Sequence, residues 1–278
     1  MLTTISATRI RLRAPKYPVN GVLPYSWLAS KVSIEAAGNI IEFTAPPHYP
    51  MTPGANRAIQ AKRDVVEHGR SYDVPKAGTP PIIESWRSFF RTWAFNAPWW
   101  GGTVAQLSLM VEIVKPKRLK ESADLLSYPA LKYAIEEYIE ANYHHIYVNN
   151  ERINMYSKPD NWAVGSTKNS PYISLSMLRQ GEHIRHILKF IPLNKEYFVC
   201  FCFVLDRQGR ATDEQEIEKQ IPAAPMIKLI NGIMSSVEIQ RKGVDDPESG
   251  FSEHRFIEEA KANPLASSDS GSVSLMAS

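Results

Sequence analysis

The chain has 278 residues, of which 44% are hydrophobic and 22% charged, with a net charge of +3. A chain of that length buries enough surface to hold a core without a disulfide or a metal. The composition excludes a collagen-like chain, a coiled coil, a disulfide scaffold and a wholly disordered protein, and the small net charge offers no footprint for nucleic acid.

In chain order, residues 8–13 alternate Ile10 and Leu12 with Arg9, Arg11 and Arg13, which predicts a half-buried strand. Prolines at 15, 18 and 24 end it. Residues 31–36 and 39–44 are two β-prone runs around Gly38-Asn39, which predicts a hairpin. Residues 45–53 contain Pro46, Pro47, Pro50 and Pro53, and so many missing N–H donors leave only a loop. A short helix is predicted over 55–68.

Residues 85–102 form the aromatic centre of the chain. Trp86, Phe89, Phe90 and Trp93 fall at i, i+3, i+4 and i+7, which predicts one face of a buried helix. Trp99-Trp100 differ, because they stand between Pro98 and Gly101-Gly102 in an extended turn. Neighbouring side chains there point opposite ways, so one ring is expected to be exposed, and exposed tryptophan is enriched at interfaces.

Residues 103–115 alternate cleanly, with Leu107, Leu109, Val111 and Ile113 on one face and Gln106, Ser108 and Glu112 on the other. Residues 127–143 predict the clearest helix, with Ser127 as its cap and Leu131, Ile135, Tyr138 and Ile139 as its apolar face. Short irregular strands are predicted at 147–156 and 161–165, and further strands at 171–178, 182–192 and 196–205. The last is apolar on both faces and should be central and covered twice. Cys200 and Cys202 sit in it at i and i+2 and read as small buried groups. Thr212 and Gln215 fit a capping box, and residues 225–237 predict an amphipathic helix. A last helix is expected over 251–262.

The residues give little support for catalysis. His183 and His186 have helical ligand spacing but lie in a predicted strand, where i and i+3 face opposite ways. His144-His145 close a helix, where a cation suits the dipole. No Gly-x-Ser-x-Gly, phosphate loop or dinucleotide fingerprint occurs. Carboxylate pairs such as Glu136-Glu137 and Asp245-Asp246 read as solvated charges. Acid–base residues far apart in sequence would leave no such mark, so an enzyme with scattered residues stays as the alternative.

The stretch Trp93-Ala-Phe95-Asn96-Ala97-Pro98-Trp99-Trp100-Gly101-Gly102, with the strand after it and the basic turn Lys115-Pro116-Lys117-Arg118, resembles a group of proteobacterial proteins. Their pattern is roughly Trp-x-Phe-x-Gly-Pro-Trp-Phe-x-Gly, and they also carry a late run like Phe190-Ile191-Pro192-Leu193. Patches over residues 86–206 carry the likeness. The chain departs from the pattern at Ala97, Trp100 and Gly101. Such proteins belong to type VI secretion effector loci, where immunity proteins or accessory factors accompany a toxin. The resemblance implies that setting and no catalytic residue.

Taken together, the expectation is one α+β domain over 1–262, mostly antiparallel, followed by a disordered serine-rich tail over 263–278. The longest apolar run is nine residues, 197–205, against ~20 for a membrane span, and no secretory signal opens the chain, so a cytoplasmic protein is expected. It should use no cofactor and no metal, and act as a non-catalytic protein-binding protein, an immunity protein or accessory factor. A structural or adaptor component of a secretion apparatus is the other alternative. The expected partner-binding residues are Trp99, Trp100, Pro46, Pro47 and Tyr49. Residues 1–76 carry ten basic and five acidic side chains, whereas residues 205–278 carry eight and thirteen. These ends either neutralise each other in the fold or, at the acidic end, meet a basic toxin.

Overall fold

The computed structural model describes residues 29–47, 64–69, 71–73, 82–97, 102–118, 123–143, 146–148, 151–209, 211, 213–241 and 252–262. Strands β1 (Ser30–Ala36) and β2 (Asn39–Ala45) form the predicted hairpin. Both turn residues have positive φ, Ala37 at 50° and Gly38 at 75°, as a two-residue turn between right-twisted strands requires. The Asp64 carboxylate accepts from the N–H groups of Ala37 and Gly38 at 3.0 and 2.8 Å, and also caps α1 (Val65–His68) through Val66 N.

The larger sheet is antiparallel throughout. It is built from β3 (Tyr72–Asp73), β4 (Ile83–Asn96), β5 (Thr103–Pro116), β8 (Asp160–Ser166), β9 (Pro171–Leu178), β10 (Ile184–Pro192) and β11 (Phe198–Arg207). Its order is β3-β4-β5-β11-β10-β9-β8. The central place of β11 matches its composition: Phe198 to Phe203 are all buried, because both faces of the sheet are covered here.

Over one face lie β1, β2 and β12 (Glu238–Arg241), joined in the order β1-β2-β12, with α3 (Glu214–Gln220) and α4 (Ala224–Ser235). Over the other lie α2 (Tyr128–Tyr143) and α5 (Glu253–Ala262), which meet Phe190, Phe198 and the two free cysteines. A small hairpin, β6 (Ile146–Val148) and β7 (Glu151–Ile153), follows α2. The fold is therefore α+β with a mostly antiparallel sheet, as expected. The segments 8–13, 263–278 and most of 55–68 lie outside the described residues.

Three local expectations are corrected. The aromatic segment from Trp86 to Trp93 is not a helix but most of β4. Its register to β5 slips between Arg87 and Phe89, so Arg87 and Ser88 together oppose one residue of β5, and the Ser88 hydroxyl donates to Val111 O at 3.0 Å. The extra residue puts Trp86 on the same buried face as Phe89, Trp93 and Phe95, and turns Phe90 to the other face. A three-residue spacing produced by one bulge thus imitated a helical stripe. Second, Ser127 does not cap α2, because its hydroxyl donates to Asp124 O and Glu259 of α5 takes the first helical N–H, at Tyr128. Third, α3 is capped by Asp213, which accepts from Glu216 N at 2.7 Å, one residue after the predicted cap at Thr212.

Candidate functional site

Two segments singled out in the sequence come together at one end of the sheets. Trp93, fully buried in β4, points its indole N–H at the chain leaving β2, donating to Pro46 O at 3.3 Å and Pro47 O at 3.0 Å. Arg91, two residues back on the same face, donates to Pro46 O at 2.6 Å and Ala45 O at 3.2 Å, with its guanidinium 5.0 Å from the Phe89 ring centre. Prolines bring no N–H to a ladder, so these carbonyls need side-chain donors when buried. Burial holds the Arg91 guanidinium below its ordinary pKa, while these carbonyls occupy its N–H groups.

The β4–β5 turn opens at the same end. Ala97 N donates to Gly102 O at 2.9 Å, and Thr103 Oγ1 to Asn96 Oδ1 at 3.0 Å. The C-terminus of α4 is tied there too, through Thr44 N to Ser236 Oγ at 2.8 Å. Pro46 is buried and Pro47 half-buried. Trp99, Trp100 and Tyr49 lie outside the described residues.

Two large apolar side chains among the described residues are exposed, Phe90 and Tyr133. Phe90 faces away from the core because of the bulge. The sequence reading placed it in the core stripe, and no residue type announces a bulge in advance.

A second cluster was not read from the sequence. Cys202 Sγ lies 3.9 Å from His186 Nδ1 and 3.5 Å from the Tyr143 hydroxyl, and His186 Nε2 lies 3.5 Å from the Tyr156 hydroxyl. A thiol beside an imidazole raises the question of a nucleophile. The electrostatics answer against it. Burial pushes the Cys202 thiol up to about 12 and the His186 imidazole down to about 4, so both are neutral at pH 7. A cysteine nucleophile needs the opposite, a thiolate beside an imidazolium in a place a substrate reaches. Cys202 is completely buried, and the cluster packs edge-to-face with Tyr143 and Tyr156. His183, expected in the same strand, lies just before β10 and meets Ala211 O at 2.9 Å.

Elsewhere the buried guanidinium of Arg207 is paired. Arg207 at the end of β11 binds Glu218 Oε2 at 2.6 Å and also Glu214, which Arg185 shares at 3.2 Å. This fastens α3 to the sheet. A cleft of about 340 Å³ between the start of α2 and α5 is lined by residues including Asp124, Ser127, Arg255 and Phe256, with no histidine or cysteine among the described residues that line it. Among the described residues no group of three His, Cys, Asp or Glu could hold a metal, and no helix is long and apolar enough to cross a membrane.

The fold and these contacts define an α+β protein with a proline-and-aromatic end and buried, neutral polar clusters. No protein-family model matches the chain, and no curated protein matches it. Among solved structures it is similar to the Ran-binding protein Mog1p of Saccharomyces cerevisiae, with 11% identity over 76% of this chain and 95% of that one and a TM-score of 0.34. A mutant of protein Mog1 gives 10% identity over 77% of this chain and 98% of that one, again with a TM-score of 0.34. At these values the likeness carries no functional argument.

Proposed function

We propose that the chain is a non-catalytic protein-binding protein whose partner docks at the end of the sheets shared by the proline-rich segment and the β4–β5 turn. The observation that carries this reading is the double fastening of Pro46 and Pro47 by Trp93 and Arg91. It holds the start of the proline-rich segment to β4, close to where that strand ends at Asn96. A surface stiffened before binding loses less entropy on association. In this reading Trp99, Trp100 and Tyr49 are the anchors, and Pro46 and Pro47 hold them in register. The resemblance to proteins of type VI secretion effector loci makes the partner a toxin or effector encoded nearby, and the role that of an immunity protein or accessory factor. The acidic C-terminal third suits a basic partner.

The test is binding of the purified chain to the product of the adjacent gene, with Trp99→Ala and Trp100→Ala measured singly after near-UV circular dichroism has confirmed folding. A loss of at least tenfold in affinity from one folded variant is expected, in keeping with a central aromatic anchor. Unchanged affinity in both folded variants removes the anchor, and unfolding of both makes the rings part of the core. Protection of cells that express the neighbouring toxin tests the immunity role separately.

A further inference from the structure

The base of the β6–β7 hairpin closes on one imidazole. The chain leaves α2 at Tyr143, forms a two-stranded sheet of its own and returns at Tyr156. A hairpin of two strands is marginally stable in water, so its order depends on how its ends are held. The Tyr143 and Tyr156 rings meet edge-to-face at 5.2 Å, and both meet His186 of β10 in the same way, at 5.5 and 5.0 Å. The returning end is also tied through backbone to the end of β9. Gln180 N donates to Met155 O and Ser157 N to Leu178 O, each at 2.8 Å. At the outgoing end the described ties of Tyr143 are side-chain contacts, its ring on His186 and its hydroxyl at Cys202.

We propose that His186 is an acid-operated latch, whose protonation frees the base of the β6–β7 hairpin while the larger sheet stays folded. The geometry gives an added charge no counterion. Cys202 Sγ beside Nδ1 is a weak acceptor, and the Tyr156 hydroxyl beside Nε2 is neutral. Arg179, between β9 and β10, brings a like charge, and its carboxylate partner Glu182 is engaged with it at 3.3 Å. Asp206 of β11 stands opposite Ile184, two residues along from His186, and its carboxyl is held above the ordinary value by burial and by Glu182. Among the described residues no carboxylate forms an ion pair with His186. Burial and Arg179 therefore hold the imidazole at about 4. A state with the rings parted and the imidazole in water binds the proton more tightly, so acid draws the hairpin toward it. This inference does not depend on the partner-binding reading.

The experiment is amide hydrogen exchange of the full chain at pH 7 and pH 5, each rate divided by the intrinsic rate at that pH. Residues 146–148 and 151–153 report the hairpin, and residues 198–203 of β11 report the sheet. With a pKa of about 4 latched and 6.5 released, the opening constant rises about twentyfold from pH 7 to pH 5. Protection of the hairpin should fall by about that factor. At pH 5 its exchange should also be insensitive to dilute urea, because a local opening exposes little surface, whereas protection of β11 falls with urea. His186→Phe keeps a ring between the two tyrosines and should abolish the fall. If that variant does not fold, Arg179→Gln decides, since removing the repelling charge should make the fall smaller. Equal protection at both pH values in the parent overturns the proposal. So does the same fall in a folded His186→Phe or in Arg179→Gln, and so does a urea dependence equal to that of β11, which assigns the exchange to global unfolding.

Discussion

The indole N–H of Trp93 meets the carbonyl of Pro47 at 3.0 Å across 46 residues of chain. That contact joins the smaller sheet to the larger one at the end where the β4–β5 turn opens. Replacing Trp93 by Phe keeps an aromatic ring in the core and removes the only N–H it can offer. Pro46 O retains Arg91, but Pro47 O loses its named donor. A loss of about 1–3 kcal/mol is expected, the cost of an unsatisfied buried group plus a small void. Urea unfolding should show a lower midpoint with an unchanged slope. An unchanged midpoint would mean that the proline segment is not held by this bond.

Asp64 ties the turn of the β1–β2 hairpin to α1. Burial works to raise its carboxyl, and the donors Gly38, Val66 and Ala37 outweigh that, leaving it below its ordinary value. Asp64→Ala should cost about 1–3 kcal/mol at pH 7. Because the folded carboxyl has the lower pKa, its stabilisation is present above the unfolded value of 3.8 and is lost as pH falls through the folded one. The gap between parent and variant, measured by urea unfolding, should therefore narrow below pH 3.8. A gap that is constant from pH 7 to pH 2 would assign the effect to packing alone.

His186 makes the protein acid-sensitive. Its imidazole titrates at about 4 in the fold and at 6.5 when free, first because it is buried and second because Arg179 repels the added charge. Between those values the unfolded chain takes up a proton that the native chain refuses. Stability is thus complete above pH 6.5 and declines as pH falls toward 4, by at most about 3 kcal/mol. His186→Phe, which keeps a ring against Tyr143 and Tyr156, should flatten that part of the profile. Thermal unfolding at half-unit steps from pH 7 to 4 checks it, and a parent profile already flat there contradicts the neutral imidazole.

Ala37 holds a left-handed backbone at φ 50°, which costs a residue with a Cβ roughly 1–2 kcal/mol. Ala37→Gly should recover about 0.5–1 kcal/mol, since glycine also loses more entropy on folding. The readout is a rise in melting temperature of a few degrees. A fall would show that the Ala37 methyl makes a packing contact worth more than the strain.

The local patterns of this chain were legible wherever neighbours in sequence decide the outcome. Alternation at Leu107, Leu109, Val111 and Ile113 specifies β5, and the apolar run from Phe198 onward specifies a strand covered on both faces. Gly38 specifies the hairpin, and the spacing of Leu131, Ile135, Tyr138 and Ile139 specifies α2. These follow from side-chain periodicity and backbone sterics, which act over a few residues. β4 escaped that reading because one bulged residue at Ser88 changes a period of two into a spacing of three, and only the register against β5 reveals it. The cap of α2 escaped it because Glu259 comes from another helix. The joining of Pro46 and Pro47 to Trp93 and the approach of His186 to Cys202 depend on which strands pair and in what order. That order is settled by burying two apolar faces at once, a condition on the whole chain that no short window of sequence contains.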